Sequence, residues 1–419
     1  MMAEAGQGEL RRIFADFHIH IGRTAAGKPV KISGSRDLTF ANIAYEASER
    51  KGIGLIGIID CHSPAVLEEI DALVSAGEME EVPGGGLRYR DTVVLLGSEI
   101  EVKDPGFGPA HLLAYVPDLS AMRTFSSWMA GHMKNVELSS QRIYATAQTL
   151  QDTVAQLGGI VIPAHIFTPH RSVYGSAASR MADFLNLDQI AAVELGLSAD
   201  TAMAGMLSEL DRFPFLSNSD AHSLAKIGRE YNALRLAEPS FAEWVMALRG
   251  EAGRCILANY GLSPRLGKYH RSYCSQCSVV LDRDDMVTDR CPACGGRIVR
   301  GVMDRIRSIA DRNTEEAHML HHRNDPLQAD ERPPYIHQVP LEFIPGLGRR
   351  TLDKLLDHFG TEMNILHEVP QERLAEVAGA DIASSIAEAR GGILAVEVGG
   401  GGHYGRVKKA RTRPGTDKS

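Results

Sequence analysis

The sequence predicts an α/β protein with a barrel-like first domain, followed by a small cysteine-rich segment and a helical domain. Up to about residue 250, short runs of branched apolar residues alternate with segments of helix length. Two Cys-x-x-Cys pairs follow, and glycine-containing turns then lead into amphipathic helices near the C-terminus. Alternating strands and helices favour a mostly parallel sheet, so these three observations together predict the fold class.

Length and composition limit the possible classes of protein. At 419 residues the chain exceeds the usual size of one hydrophobic core, so we expect two or three domains. Apolar residues make up 44% and charged residues 23%, and no apolar run approaches the roughly 20 residues of a membrane span. The start of the chain is polar and lacks an apolar signal core, so we expect a cytoplasmic protein. The net charge of −8 argues weakly against nucleic acid, although local charge matters more.

The predicted strands of the first domain are short runs bounded by Gly, Pro, Asp or Asn. Helix-length segments such as Phe40 to Lys51, Ser139 to Leu157 and Thr201 to Leu210 lie between several of them. In barrels of this type the chemistry lies at the carboxyl ends of the strands. After a first strand around Phe14 to Ile21, the runs are Ile53 to Ile59, Val93 to Leu96, His111 to Val116, Ile160 to Ile162, Ala191 to Leu195 and Phe215 to Ser217.

A His-x-His pair lies in the first apolar run. Alternate side chains of a β-strand share one face, so His18 and His20 point in the same direction. A buried imidazole pair without a metal or another polar partner carries a desolvation penalty. The pattern therefore suits a metal site, but it also suits two hydrogen-bonded core histidines, and by itself it does not decide between them.

Further polar residues occur where the other runs end. Asp60 with His62, Glu99, His165, and Asp220 with His222 each follow a predicted strand, whereas His111 opens its run. Taken singly, each has an ordinary structural explanation as a turn former, a solvated strand end or a core histidine. Taken together, mixed His and carboxylate donors at several strand ends predict a cluster of Zn²⁺, Mn²⁺ or Fe ions.

This ordered set of motifs resembles the PHP superfamily of metal-dependent phosphoesterases. The resemblance covers about 240 residues and implies a distorted seven-stranded α/β barrel with two or three divalent ions, Zn, Mn or Mg. Three-metal members often carry another histidine about six residues after His-x-His, where this chain has Ala26, with Arg23 and Lys28 nearby. The motifs are His18-Ile19-His20, Asp60-Cys61-His62, Gly97-Ser98-Glu99, His111, Pro163-Ala164-His165 and Ser219-Asp220-Ala221-His222.

The resemblance also implies a set of ligands. His18, His20, Glu99 and Asp220 would hold one metal, with Glu99 bridging to a second metal held by His111 and His165. His62 and His222 would serve a third ion or orient substrate, and catalysis would depend on Glu99, Asp220 and His222. Two-metal hydrolysis needs no nucleophilic side chain, so Cys61 is expected to be a small buried filler.

A four-cysteine motif marks the middle of the chain. Cys274 and Cys277 are separated by thirteen residues from Cys291 and Cys294, and glycines follow the second pair. Two matched Cys-x-x-Cys knuckles predict a zinc ribbon closed around one structural Zn²⁺ rather than a redox pair. Several arginines lie in this segment. They form either a surface that faces phosphate or a surface that is only solvated.

The remaining chain suggests a nucleic-acid module. A helix over Met303 to His318 and a polar linker precede Phe343-Ile344-Pro345-Gly346-Leu347-Gly348, which leads into an amphipathic helix and resembles a helix-hairpin-helix turn. Gly346 and Gly348 would let backbone N–H groups approach a phosphate, with Lys354 adding a cation. A weaker copy at Val377 to Asp381 follows. An ordinary helical corner is the alternative.

The C-terminus combines a short strand, a glycine run and a basic tail. We expect the tail to be disordered, and Tyr404 on the glycine-rich loop, like Phe167 near the barrel mouth, is a candidate for stacking on a base.

In order, a PHP-type barrel, a zinc ribbon and a helical module resemble the endonuclease Q family. The resemblance implies a repair endonuclease, associated with the nucleoid, that nicks double-stranded DNA 5′ to deaminated bases such as hypoxanthine and uracil, or at abasic sites. A replication or repair protein is its candidate protein partner. The alternatives are a PHP phosphatase acting on a small phosphate ester and a non-catalytic zinc-ribbon adaptor that binds nucleic acid. The predicted domains are 1–250 (phosphoesterase), 251–332 (ribbon and linker helix), 333–395 (helix-hairpin-helix-like) and 396–419 (strand, glycine loop and tail).

Overall fold

The computed structural model describes residues 9–281, 290–321, 332–392, 396–397, 399 and 403–407. The predicted basic tail and most of the glycine run lie outside these residues. The strands are β1 (Arg11–Ile19), β2 (Leu55–Ile58), β3 (Glu80–Glu81), β4 (Leu87–Tyr89), β5 (Thr92–Val102), β6 (Ala110–Val116), β7 (Ile160–Pro163), β8 (Val193–Glu194), β9 (Phe215–Leu216), β10 (Tyr231–Leu236), β11 (Cys255–Gly261), β12 (Tyr273–Cys274), β13 (Ile298–Val299), β14 (Tyr335–His337), β15 (Val396–Glu397) and β16 (Arg406–Val407). The helices are α1 (Phe40–Tyr45), α2 (Pro64–Ser75), α3 (Leu119–Ala130), α4 (Ala147–Gln156), α5 (Thr201–Ala204), α6 (Phe241–Arg249), α7 (Val302–Ile309), α8 (Thr314–His321), α9 (Arg349–Phe359), α10 (Glu362–His367), α11 (Gln371–Ala378) and α12 (Ala380–Arg390).

Seven strands form the predicted distorted barrel. β1, β2 and β5 are parallel neighbours, and β6 pairs antiparallel with both β5 and β7. A single parallel bridge from Val161 to Ile190 leads toward the β8–β9 pair, and another from Ala221 to Ile19 returns to β1. Among these strands β6 runs against the rest, so the expectation of a mostly parallel barrel is confirmed with one reversed strand.

The sheet continues outside the ring. β10 pairs antiparallel with the outer side of β1, β11 pairs with β10, and β14 joins β11 in parallel. β14 comes after the ribbon in sequence, so the chain returns to the barrel sheet before entering its C-terminal helices.

Aromatic residues fill part of the barrel core. Trp244 from α6 is fully buried and stacks on Phe17 of β1, with ring centroids 4.2 Å apart. Tyr115 from β6 meets Trp244 edge to face at 5.0 Å and donates its hydroxyl hydrogen to the backbone carbonyl of Phe17. These contacts tie β1, β6 and α6 together, and β1 carries the His-x-His pair.

Three predicted helices are shorter than expected, and the one predicted from Ser139 to Leu157 begins only at Ala147. The segment predicted as Thr201 to Leu210 contains α5 and, after the chain turns at Gly205, a 3₁₀ turn at Ser208–Leu210. The helix predicted from Met303 to His318 is divided into α7 and α8, because the backbone N–H groups of Asp311 and Arg312 both donate to the carbonyl of Met206.

The C-terminal helices pack on the barrel through a buried ion pair. Lys51, at the end of a π-helical turn that continues α1, lies 2.9 Å from the carboxylate of Glu362 on α10, and both side chains are more than 90% buried. His367 of α10 stacks on Phe14 of β1 at 4.4 Å. No described helix is long and apolar enough to span a membrane.

Candidate metal centre

The barrel brings the predicted donors to one end of its strands. His18 lies in β1 and His20 just after it, Glu99 lies in β5, and His165 follows β7. The reversed direction of β6 explains why His111 opens its run, because the first residues of β6 lie beside the last residues of β5, with His111 opposite Glu101. Asp220 and His222 follow β9 at the same end.

Seven of the predicted donors fall into three overlapping groups. In each group the potential ligand atoms lie within 4.8 Å of one another. Glu99 belongs to two groups and His20 to two, so the groups form one continuous cluster. The groups are His18 with His20 and Glu99, His20 with Asp220 and His222, and Glu99 with His111 and His165.

Glu99 is the centre of this cluster. Its carboxylate lies 2.8 Å from Nδ1 of His111, 3.4 Å from Nε2 of His165 and 3.3 Å from Nζ of Lys31. Burial by itself raises the pKa of a carboxyl group, but His111 and Lys31 outweigh burial and hold the pKa of Glu99 well below its ordinary value. Glu99 is therefore an anion, as a bridging ligand must be.

Two further carboxylates orient the rings of His18 and His20 by contacting their Nδ1 atoms. Glu194 of β8 lies 2.9 Å from Nδ1 of His18, and Asp60 lies 3.1 Å from Nδ1 of His20. This leaves the Nε2 atoms of both rings facing the cluster, as in carboxylate–histidine–metal arrangements. Burial lowers the pKa of an imidazole, yet Glu194 and Asp220 raise the pKa of His18 to about 10, so a metal ion would bind Nε2 by displacing its proton. Sequence analysis did not assign Glu194 a role.

The donor atoms fit metal ions. Among the described residues, three nitrogens that face the cluster are buried without a hydrogen-bond partner: Nε2 of His18, Nε2 of His20 and Nδ1 of His111. A buried polar atom left unsatisfied costs about 1–3 kcal/mol, so three at one point require an explanation. Nitrogen and carboxylate oxygen are the donors preferred by Zn²⁺ and Mn²⁺. Bound divalent ions would satisfy all three nitrogens.

Backbone strain is concentrated around the cluster. Three non-glycine residues there have positive φ angles: +31° at His165, +46° at Asp220 and +54° at Ser140. Such conformations cost of order 1–3 kcal/mol each and persist only where the surroundings enforce them. The rest of the fold therefore offsets this backbone strain, and the strained conformations direct these side chains toward the cluster.

The four ribbon cysteines form a second donor group. The Sγ atoms of Cys274 and Cys294 are 3.4 Å apart, and those of Cys277 and Cys291 are 3.7 Å apart. Tetrahedral Zn–S bonds of about 2.3 Å place sulfur atoms slightly less than 4 Å apart, so the four thiols match one Zn²⁺. Backbone N–H groups of Cys277 and Gln276 point at Cys274 Sγ and lower the pKa of that thiol.

Comparisons with known proteins agree with this geometry. No family model matches the chain. Uncharacterized protein YqxK of Bacillus subtilis (strain 168) is 48% identical over 402 residues, which cover 95% of this chain and 100% of that protein. The crystal structure of the lesion-specific endonuclease PfuEndoQ from Pyrococcus furiosus superposes with a TM-score of 0.79 at 32% identity and covers 96% of each chain. The chain belongs to the endonuclease Q family.

Two other relatives extend the comparison. An endonuclease Q in complex with a 27-mer duplex that carries an abasic lesion at its active site superposes with a TM-score of 0.79 at 31% identity, covering 96% of this chain and 97% of that one. Uncharacterized protein MJ0043 of Methanocaldococcus jannaschii is 35% identical over 266 residues, 58% of this chain and 31% of that protein. As a member of an endonuclease family, the chain is a hydrolase.

One predicted ligand of this endonuclease Q family member lies apart from the donor groups. Both ring nitrogens of His62 are buried without a hydrogen-bond partner among the described residues, and burial lowers the pKa of the ring. His62 belongs to none of the groups whose donor atoms lie within 4.8 Å. Its assignment to a third ion stays a prediction.

Lys31 is a residue of the centre that sequence reasoning missed. Its ammonium lies 3.3 Å from Glu99 and 2.6 Å from Oγ of Ser140, which itself donates a hydrogen bond to Glu99. The sequence offered only a loop with several cations, Arg23, Lys28 and Lys31, and no spacing rule selects one of them.

Six of the seven grouped donors, all except His18, line a pocket of about 250 Å³ whose mouth is aromatic and basic. Tyr404, Tyr269 and Lys268 lie at this mouth together with Arg171. Nζ of Lys268 lies 4.9 Å from the ring centroid of Tyr269 and 5.8 Å from that of Tyr404. The prediction for Phe167 is wrong in this structure, because its ring is 1% exposed and stacks on Tyr174 inside the core.

The C-terminal hairpins of this endonuclease Q family member differ in completeness. The first turn has Gly346 at φ +89° with open space around it and leads into α9 at Gly348, but only a 3₁₀ turn precedes it. The second joins two full helices, α11 and α12, through Gly379, also at φ +89°. Lys354, predicted to contact phosphate, instead donates to the carbonyl of Val377 at 2.7 Å and joins the two hairpins. Arg349 and Arg350 are the exposed cations beside Gly348.

Proposed function

We propose that the chain is a metal-dependent DNA repair endonuclease that nicks the phosphodiester 5′ to a deaminated base, hypoxanthine or uracil, or at an abasic site. The observation that carries the proposal is its correspondence, over 96% of both chains, to a lesion-specific endonuclease. The donor cluster supports hydrolysis of a phosphodiester, and the related complex with an abasic duplex supports DNA as the substrate.

The cluster suggests how two or three divalent ions (Zn, Mn or Mg) would be held. Glu99 would bridge a site made by His18, His20 and Asp220 and a site made by His111 and His165. Ions bound there would lower the pKa of a water molecule and neutralise phosphoryl charge. His222 lies at the edge of the first site, and burial lowers the pKa of its ring to about 4, so the ring is neutral and able to act as a ligand.

The protein's own cations would hold the scissile phosphate. The Lys31 ammonium faces the pocket that the donors line and is 16% exposed, so its charge is only partly screened by solvent. Arg171 and Lys268 at the mouth add two more positive charges. Although Arg171 also pairs with Glu101 at 3.0 Å, these cations at the pocket favour a polyanion in a chain of net charge −8.

The damaged base would be drawn toward Tyr404. Deamination weakens base pairing, so extrusion from the duplex costs less than the few kcal/mol it normally requires. Tyr404 is 38% exposed at the pocket mouth, and an aromatic face there offers about 1–3 kcal/mol of stacking.

The helical domain would hold the duplex backbone at a distance from the cleavage site. The N-terminus of α9 presents backbone N–H groups beside Gly346 and Gly348, and such groups bind phosphates without reading sequence. Arg349 and Arg350 would add cationic contacts in place of Lys354. In this proposal segment 1–250 cleaves, 251–332 is stabilised by zinc, 333–395 binds the duplex and 396–419 supplies Tyr404.

The decisive experiment uses purified protein with Mn²⁺, Mg²⁺ or Zn²⁺ on end-labelled duplexes that contain a single inosine, uracil or abasic site. We expect one nick 5′ to the lesion and none in the matched undamaged duplex. Hydrolysis of p-nitrophenyl phosphate without nicking would instead identify a phosphatase, and binding without hydrolysis of either substrate would identify an adaptor.

The role of the hairpin is tested separately. Arg350→Ala should weaken binding to damaged and intact duplexes equally and reduce the salt slope by about one. Arg373→Ala is the matched control, since Arg373 is an exposed helical arginine of the same domain that already pairs with Glu376 at 3.2 Å. Equal salt slopes for the two variants would remove the hairpin from the proposal.

A further inference from the structure

The guanidinium of Arg229 binds backbone carbonyl groups at and beside the ligand Asp220. Its Nε donates to the carbonyl of Ser219 at 2.7 Å, and its Nη2 donates to the carbonyl of Asp220 at 3.2 Å. One planar guanidinium thus holds two successive carbonyl groups. Lysine has no second donor in a fixed plane and cannot reproduce this fork.

Asp220 needs such support because its backbone is strained. Its φ of +46° lies in the left-handed region, which is unfavourable for a residue with a side chain. The same conformation places Oδ1 of Asp220 at 3.5 Å from Nε2 of His18 and 3.4 Å from Nε2 of His20. If the carbonyls of Ser219 and Asp220 were released, the peptide could relax and withdraw the carboxylate from the histidines.

The segment that carries Arg229 is itself held in place by a buried carboxylate of β1. Asp16, fully buried, accepts hydrogen bonds from the backbone N–H of Gly228 at 2.9 Å and from that of Ser219 at 3.0 Å. The segment that carries Arg229 and the segment that carries Asp220 are therefore tied to the same strand, β1.

The other side of Arg229 faces the C-terminal loop. Its guanidinium carbon lies 5.8 Å from the ring centroid of Tyr404. The loop that carries Tyr404 is held by backbone contact, since the N–H of Gly405 donates to the carbonyl of Leu266 at 2.9 Å. A Cβ atom at Gly405 would lie 2.1 Å from the carbonyl oxygen of Glu397, so only glycine fits there.

We infer that Arg229 is a positioning residue. Its guanidinium group orients both the metal ligand Asp220 and the side chain of Tyr404, which forms an aromatic wall of the pocket. The lesion-facing wall and the metal centre are then mechanically connected, although they lie more than 180 residues apart in sequence. The inference rests on the proposed function in two respects, because it takes Asp220 to be a metal ligand and Tyr404 to face the lesion.

The first test measures Mn²⁺ affinity by equilibrium dialysis of the full-length protein, with ribbon zinc retained. Arg229→Met should weaken Mn²⁺ binding by roughly 10–100-fold, the usual effect of losing a residue that orients a ligand. Nicking of an abasic duplex should recover toward the wild-type rate at saturating Mn²⁺. Arg229→Lys keeps the positive charge but not the two-donor fork, so its Mn²⁺ affinity should lie between those of the wild type and Arg229→Met. This variant is the check against a folding defect in Arg229→Met.

The matched control is Arg235→Met. Arg235 also donates its Nε to a backbone carbonyl at 2.7 Å, that of Gly253, but it is an exposed residue of β10 away from the donor cluster. It should bind Mn²⁺ as the wild type does. Wild-type affinity in both Arg229 variants, with weakened binding in Asp220→Asn, would overturn the inference and leave the proposed function standing. Wild-type affinity in Asp220→Asn as well would overturn the ligand assignment itself.

The second test measures the connection to Tyr404. A double-mutant cycle of Arg229→Met and Tyr404→Leu, with affinity for a duplex that carries a single inosine as the readout and no divalent metal present, should show coupling of roughly two- to five-fold, the range of an exposed cation–π contact. Strictly multiplicative effects would mean that Arg229 serves the metal ligand alone and would overturn the connection to the wall.

Discussion

Glu230 gives a prediction about pH that can be worked out from its surroundings. It is fully buried, with Oε2 accepting from Oγ of Ser217 at 2.6 Å and Oε1 accepting from the backbone N–H of Leu262 at 2.9 Å. Burial outweighs these hydrogen bonds and raises the pKa of Glu230 to about 8. Glu230→Gln replaces the protonated acid with a neutral group of the same shape that can make both contacts.

The sign and size follow from linkage. Between the ordinary pKa of 4.5 and the folded value of about 8, the folded protein holds a proton that the unfolded chain has released. Stability therefore falls as pH rises through this window, by roughly 5 kcal/mol in total at about 1.36 kcal/mol per pKa unit. Glutamine does not titrate, so relative to the wild type the variant should gain up to that amount above pH 8 and little near pH 5.

The assay is urea unfolding from pH 5 to 9, followed by tryptophan fluorescence. Both tryptophans, Trp128 and Trp244, lie in the barrel, so the signal reports on the domain that contains Glu230. Glu243→Gln is the opposite-sign control, because burial raises the pKa of Glu243 but its bonds to Arg254 outweigh that effect and lower it. A stability difference between Glu230→Gln and the wild type that stays constant across the pH range would refute the reasoning.

Three further predictions concern the metal centre, the ribbon and the domain contact. Glu99→Gln should abolish nicking and leave duplex affinity nearly unchanged, because the carboxylate serves the metals and not the duplex; nicking at the wild-type rate with unchanged metal content would show that the centre is assigned wrongly. Cys274→Ser should remove one equivalent of zinc, measured by mass spectrometry, and destabilise the middle segment, since structural zinc contributes roughly 10 kcal/mol or more in small modules. Lys51→Met should cost about 3–5 kcal/mol in urea unfolding by leaving the Glu362 carboxylate buried and unpaired, whereas adding Glu362→Leu should restore most of it; equal losses in both variants would contradict this.

The sequence by itself determined those features that short-range geometry encodes. His18 and His20 share a face because side chains alternate along a strand, and each Cys-x-x-Cys turn places two thiols on one side of a backbone loop. The ordered motifs therefore predicted the distorted barrel and identified the endonuclease Q family, to which the comparisons assign the chain. The chemistry of most donors could be named before any contact was known.

Tertiary structure alone decided which distant residues meet. Glu194 holds His18 across 176 positions and Lys31 reaches Glu99 across 68, and no periodicity relates residues so far apart. Burial was likewise undecided by sequence, since Phe167 and Tyr404 are similar aromatic side chains, yet one lies in the core and the other lines the pocket. The physical reason is that packing and hydrogen bonding are satisfied over the whole fold, whereas local spacing describes only which face of one element a side chain occupies.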